Sequence, residues 1–252
     1  MMRLLVSMLK ASLLVVLLLG AGCGPGQKKE TKTVLEGQRK ETKTVLDQRM
    51  GQLDELRTKR ENRLKQLKAM DVAQLARELA ADSERGLEPF NSMAFAETVS
   101  RGQDMGLRLK PLLTQPDHKS LLGLLALRKA SPTQYQALDP AFKVRVLTDA
   151  LSTSRYFNKW GLPHLYWEDA AKTLIGEGEA AEKPLIALLK DTREAPMWGS
   201  EEVQEYEKYK YRVRDYAWAM LNEIKGRKVA IPTDPAQRDK LIAAVSGQGG
   251  AN

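Results

Sequence analysis

Lys183-Pro184-Leu185-Ile186-Ala187-Leu188-Leu189-Lys190-Asp191 and, further on, Val213-Arg214-Asp215-Tyr216-Ala217-Trp218-Ala219-Met220-Leu221-Asn222-Glu223-Ile224-Lys225-Gly226 decide the fold. Both read as helices, and Gly226 suits a C-terminal stop. Outward from them, helices are predicted over residues 91–101, 106–113, 119–129, 132–137, 140–151, 163–175, 180–189, 201–225 and 235–245. Asp117, Ser131, Asp139 and Asp234 stand near starts, where short polar side chains accept from free amides. Pro132, Pro140 and Pro235 suit first turns, and Gly176, like Gly226, suits a stop. Only residues 229–231 look strand-like, and Pro232 ends them. All aromatic residues, and every proline except Pro25, lie after position 86. About 160 residues follow, enough for one domain with its own core.

The two quoted pieces resemble the first and second helices of a HEAT-type repeat. The first ends in Asp191; the second opens on Val213-Arg214 and closes on Ile224-Lys225-Gly226. Residues 170–176 are similar to another second-helix ending, with fainter echoes at Pro111-Leu112-Leu113 and residues 121–127. The resemblance implies that Asp191 and Arg214 tie neighbouring turns, and that helix pairs stack to cover one another's apolar faces. Between Asp191 and Val213 an insertion carries Pro196, Trp198 and a charged, Tyr-rich run. The expected fold is therefore all-α. A long charged N-terminal helix precedes either a HEAT-like α-solenoid or a compact irregular helical domain over residues 87–246, and a flexible tail follows at 247–252.

Residues 28–86 are rich in Lys, Arg, Glu, Gln and Leu and contain no proline. Residues 29–39 recur as 40–49 at an offset of eleven, and the apolar rows Val34, Val45, Leu56, Leu67 and Leu53, Leu64, Leu75 keep that spacing. Eleven residues per three turns gives a nearly straight, narrow apolar stripe. Glu55 with Lys59, and Glu61 with Lys65, stand at i,i+4 spacing. A continuous helix here reaches roughly 85 Å. Two readings stay open, a solvated spacer and a coiled coil with a second copy.

At the N-terminus, Arg3 and Lys10 precede the apolar run 11–19, a length suited to a secretory signal and short of the ~20 residues that span a membrane. Leu19-Gly20-Ala21-Gly22-Cys23 resembles the lipidation motif of bacterial lipoprotein precursors, with Gly20 where a leucine is usual. The resemblance implies a signal peptide over 1–22, acylation of Cys23, and a short linker over 23–27. Cys23 is the chain's only cysteine. The alternative is an ordinary secretory signal that leaves Cys23 as a free thiol. Gly24, with no Asp after Cys23, implies by the same resemblance an outer-membrane location facing the periplasm or the surface. The chain carries a net charge of +8, and loss of Arg3 and Lys10 leaves +6, a mild excess that favours anionic headgroups or wall polymers.

Few residues suggest chemistry. His118 follows Pro116-Asp117 in a turn. His164 and Glu168 are expected to share a helix face at i,i+4, which supplies two of the three or four ligands zinc needs. There is no Gly-x-Ser-x-Gly elbow, and the acidic Gly176-Glu177-Gly178-Glu179 would repel phosphate. No metal, cofactor or catalytic residue is therefore expected. In the run 201–214, Tyr206, Tyr209, Tyr211 and Arg212 combine residue types favoured at protein-binding surfaces; the alternative is an amphipathic helix with its rings turned inward. The expected protein is a non-enzymatic envelope lipoprotein that binds an envelope protein, with the bilayer held through Cys23 and no nucleic acid. The second expectation is a spacer that self-associates through its tether, and the distant third is an envelope hydrolase using the region of His164 and Glu168.

Overall fold

The computed structural model describes residues 27–248, and it is all-α apart from one two-stranded hairpin. Residues 1–22 and Cys23 of the expected signal and anchor lie outside the described residues, as do 249–252 of the expected tail. The rest of that tail closes a helix. The chain divides into two units at Arg63 and Leu64.

The first unit is described as helix only. Helix α1 (Gln27–Ala69) shows side-chain surroundings from residue 42 onward. Val45, Leu46, Met50, Leu53 and Leu56 are all exposed. Lys59 pairs with Glu55 at 2.6 Å, while Glu61 pairs with Arg57 at 3.2 Å rather than with Lys65. These i,i+4 pairs support an exposed helix that has little apolar surface to bury.

The second unit begins well before residue 87, at Leu64. The eleven-residue row continues across that boundary, but here Leu67 and Leu75 are fully buried. Asp71 accepts from the Gln74 amide and Gln74 returns the bond to the Asp71 amide, a capping box that ends α1 and starts α2 (Val72–Glu84). Leu75 and Leu79 of α2 enter the core. The carbonyls of Leu67, Lys68 and Met70 at the end of α1 receive the Arg101 guanidinium at 2.7–3.1 Å, Leu67 in addition to the Met70 amide.

Next come a 3₁₀ turn Pro89–Asn91, α3 (Met93–Ser100), α4 (Gly102–Leu109), α5 (Leu121–Ala130), α6 (Pro132–Gln136) and α7 (Pro140–Thr153). Helix α5 is buried from Leu121 to Leu127, as an apolar helix at the centre of a domain should be. It packs against α2, α3, α4 and α6. A serine of α2 supports its start, where Ser83 Oγ accepts from the Leu122 amide at 3.0 Å. Asp117, Asp139 and Asp234 do cap as expected. Ser131 does not; its Cβ packs where Gly106 leaves room for it.

The second half holds β1 (Gly161–Leu162), β2 (Tyr166–Trp167), α8 (Asp169–Gly176), α9 (Glu179–Leu188), α10 (Ser200–Tyr209), α11 (Val213–Ile224) and α12 (Pro235–Gln248). The expected helix over 163–175 is corrected in its first part: residues 161–167 form an antiparallel hairpin. The expected helix over 201–225 is two helices, broken where Lys210 takes φ +51° and Arg212 is extended. Residues 229–231 form no strand. Helices α9 and α11, the two segments that open the sequence reading, pack on each other. Helix α11 is buried almost throughout, from Val213 to Asn222.

Candidate functional site

An open cleft of about 470 Å³ lies in the second unit, assembled from five separated stretches of chain. The Pro89–Asn91 turn sets out Phe90, the hairpin sets out Tyr166, and the loop ahead of α10 sets out Trp198. All three rings are exposed, Phe90 by 72 % and Trp198 by 41 %. The Phe90 and Trp198 centroids stand 6.0 Å apart. Folding normally covers such rings, and exposed aromatics clustered around a concavity mark a binding surface.

Local contacts place two of these residues, Trp198 and Tyr166. The Asn158 side chain holds the Trp198 backbone from both sides: its amide donates to the Trp198 carbonyl at 2.7 Å, and its oxygen accepts from the Trp198 amide at 3.0 Å. Tyr166 depends on Gly161. That residue sits at φ +83°, and a Cβ there would lie 2.5 Å from the Tyr166 carbonyl and 2.8 Å from the Glu168 amide. Only glycine allows the strands to close this tightly.

Charge is distributed unevenly in the cleft. Lys159 and Glu88, both buried, pair at 3.3 Å, and the ammonium also reaches the Tyr156 carbonyl at 3.4 Å. The second Glu88 oxygen is buried without a partner. Burial pushes the Glu88 carboxyl up, and Lys159 opposes that shift. Lys129 pairs with Asp169 at 2.5 Å and lies 5.9 Å from the Phe95 ring centre. Glu168 and Glu202, in contrast, carry no ion pair or side-chain hydrogen bond among the described residues. The Tyr166 phenol is pushed up first by burial and then by the charges of Glu202 and Glu168, so both carboxylates act on the same ring.

The residues singled out from sequence fall elsewhere. Tyr206, Tyr209 and Tyr211 are core residues, with Tyr211 0 % exposed. The surface expected from them is corrected: the run breaks at Lys210, and the rings turn inward. Arg212 is mostly buried, held by Asp215 and Asp239. Arg238, also fully buried, ion-pairs with Asp215 and donates to the carbonyls of Pro232, Thr233, Tyr209 and Lys210. The Asp191 carboxylate binds its neighbour Arg193, its carbonyl accepts from the Arg214 amide at 2.9 Å, and the Arg214 guanidinium reaches Asp239.

His164 is not on a helix and does not meet Glu168. It sits in the hairpin turn, stacked on Tyr209 at 4.0 Å, with Nε2 3.1 Å from Glu205 and Nδ1 2.8 Å from the Tyr211 hydroxyl. The Tyr211 O–H donates to Nδ1, which places the ring proton on Nε2, facing Glu205. Burial lowers the His164 pKa and the Glu205 carboxylate opposes this. Tyr211 is buried beneath the ring, and His164 also lines an open pocket of about 450 Å³ with Pro163, Trp167 and Lys228. His118, expected in a turn, contacts Asp149 through Nδ1 at 2.9 Å. Among the described residues no group of three or more His, Cys, Asp or Glu side chains is placed to hold a metal ion, and no helix is long and apolar enough to cross a membrane.

The sequence reading does not single out Phe90 or Tyr166 as site residues, and Glu202 and Trp198 stand out only as parts of the insertion. The available signals were a Pro-Phe pair just past the tether and a Trp-Gly pair in a loop. Comparison with protein-family models, with curated proteins and with solved structures returned no match.

Proposed function

We propose that the chain is a non-enzymatic binding module of the bacterial envelope, held at a membrane by acylated Cys23, which receives a polypeptide partner in the Phe90–Tyr166–Trp198 cleft. The observation that carries this reading is the exposure of three rings around one concavity. Aromatic anchors in pockets carry most of the energy of protein interfaces. His164 is held by Tyr211 and Glu205 and does not meet Glu168, so the pair on which the hydrolase reading rests is not assembled, which favours binding over that chemistry. We also read α9 and α11 as one HEAT-type helix pair, in line with the resemblance of their sequences and their mutual packing.

The test is crosslinking and capture from native membranes with the wild type and Trp198→Ala, followed by palmitate labelling with Cys23→Ser. The reading expects a defined partner lost in the first variant and a lipid label lost in the second. A partner captured equally by Trp198→Ala refutes the cleft, and a label that survives Cys23→Ser refutes the anchor.

A second reading, a self-associating spacer, is favoured by the exposed Val45, Leu46, Met50, Leu53 and Leu56 on α1. It expects a concentration-dependent oligomer in sedimentation that Leu53→Lys with Leu56→Lys abolishes. A chain monomeric at all concentrations ends it.

A further inference from the structure

The cleft's walls and its charge ask for different things. Phe90, Trp198 and Tyr166 offer apolar, π-rich surface. Of the charged groups lining the cleft, Lys159 is occupied by Glu88 and Lys129 by Asp169. Among the described residues Glu168 and Glu202 have no cation, and the inner oxygen of Glu88 has no donor. The lining thus holds four carboxylates against two ammonium groups. An apolar ligand would leave the two free carboxylates desolvated without compensation, which is unfavourable. An anionic ligand would meet them directly.

We infer that the cleft takes a basic side chain of the partner polypeptide, lysine or arginine, its stem on the rings and its charged head toward Glu168 and Glu202. This rests on the cleft being the binding site. Lysine and arginine combine an apolar stem with a cationic head, and both are attracted to aromatic faces within about 6 Å of the ring centre. Arginine adds stacking and a two-pronged contact with a carboxylate.

The arrangement is built into the fold. Trp198 is fixed through Asn158, and Glu202 stands in the first turn of α10 directly after Gly199. That glycine sits at φ +107°, and a Cβ there would strike the Glu202 carboxylate at 2.5 Å. Any other residue at 199 would push the Glu202 side chain out of its place.

The experiment uses the full chain in detergent and follows Trp198 fluorescence, with Trp198→Phe identifying its share of the signal. Three blocked tripeptides are titrated, each with glycine on both sides of a central lysine, norleucine or glutamate. Norleucine keeps the stem of lysine and removes the charge. The inference expects the lysine peptide to bind at least about tenfold tighter than the norleucine peptide, with affinity falling as salt rises. It expects Glu168→Gln with Glu202→Gln to erase that preference and leave norleucine binding intact. If norleucine or glutamate binds as well as lysine through Trp198, the cation is wrong and the cleft stands. If no peptide changes the Trp198 signal up to tens of millimolar, both the cation and the cleft fall.

Discussion

Replacing Asp215 with alanine removes the anion around which two arginines are organised. Asp215 is 1 % exposed. One of its oxygens accepts from the Arg212 amide at 2.9 Å, Arg212 Nε at 3.1 Å and Arg238 Nη2 at 3.2 Å. The other accepts from Arg212 Nη2 at 3.0 Å and lies 3.1 Å from Arg238 Nε. Arg212 keeps a second carboxylate in Asp239. Arg238 does not: without Asp215 its charge faces four carbonyls and, at 5.3 Å, the Tyr211 ring. An uncompensated buried charge of this kind costs about 3–5 kcal/mol. The unit that carries it runs from Leu64 to Asn252, and in a unit of that size each kcal/mol moves Tm by about 2–4 °C. Asp215→Ala should therefore lower Tm by about 6–20 °C in thermal unfolding followed by circular dichroism. Adding Arg238→Met should recover part of the loss, because the stranded charge goes with the arginine. The four carbonyls then lose a donor, so recovery is incomplete. The coupling energy in the double-mutant cycle should exceed about 1 kcal/mol. Strictly additive effects, or a loss below about 1 kcal/mol for Asp215→Ala, would refute the charge argument.

His164 gives the pH dependence. Its folded pKa lies below the ordinary 6.5, so folding favours the neutral ring. Its contribution to stability is present above pH 6.5 and is lost as pH falls through the lowered value. Denaturation midpoints should thus decline on acidification in this range, and His164→Phe should flatten the decline; an unchanged slope contradicts the assignment. Glu205→Gln removes the group that opposes the lowering and should move the His164 NMR titration to still lower pH. Arg101→Ala takes a charged donor from three carbonyls at the end of α1, of which only Leu67 keeps another in the Met70 amide, a loss of about 1.5–3 kcal/mol. Amide exchange should quicken around residues 64–70 before the rest of the domain; uniform quickening would show that Arg101 acts elsewhere.

The all-α architecture was legible because its signals are local. Asp139 with Pro140, and Asp234 with Pro235, mark helix starts by capping chemistry that needs no tertiary partner. The errors share a cause of the opposite kind. Nothing between Tyr209 and Val213 is glycine or proline, and the break at Lys210 is held from outside. Ala195 donates to the Tyr211 carbonyl at 2.8 Å, Val213 donates to the Arg193 carbonyl at 3.0 Å, and Arg238 takes the carbonyls of Tyr209 and Lys210. The hairpin at 161–167 has strands of two residues, too short for an alternating pattern to register. The start of the second unit was misplaced for a related reason. The eleven-residue row runs on from Leu56 to Leu67 and from Leu64 to Leu75 without change, and periodicity reports a stripe but not what covers it. The cleft was the least legible feature. Glu88, Phe90, Lys159, Tyr166 and Trp198 are separated by up to 110 positions and meet only through packing.

The Asn158 clamp on Trp198 has a kinetic consequence. A loop that presents a binding ring commonly has to be ordered at the moment of association, and that lost freedom slows docking and weakens it. In the proposed binding, the two hydrogen bonds settle the loop during folding, so that a ligand meets a platform already in place. Association should then proceed at a rate set by encounter and charge rather than by loop rearrangement. Asn158→Ala should show itself mainly in slower arrival, with the ring still present and still exposed.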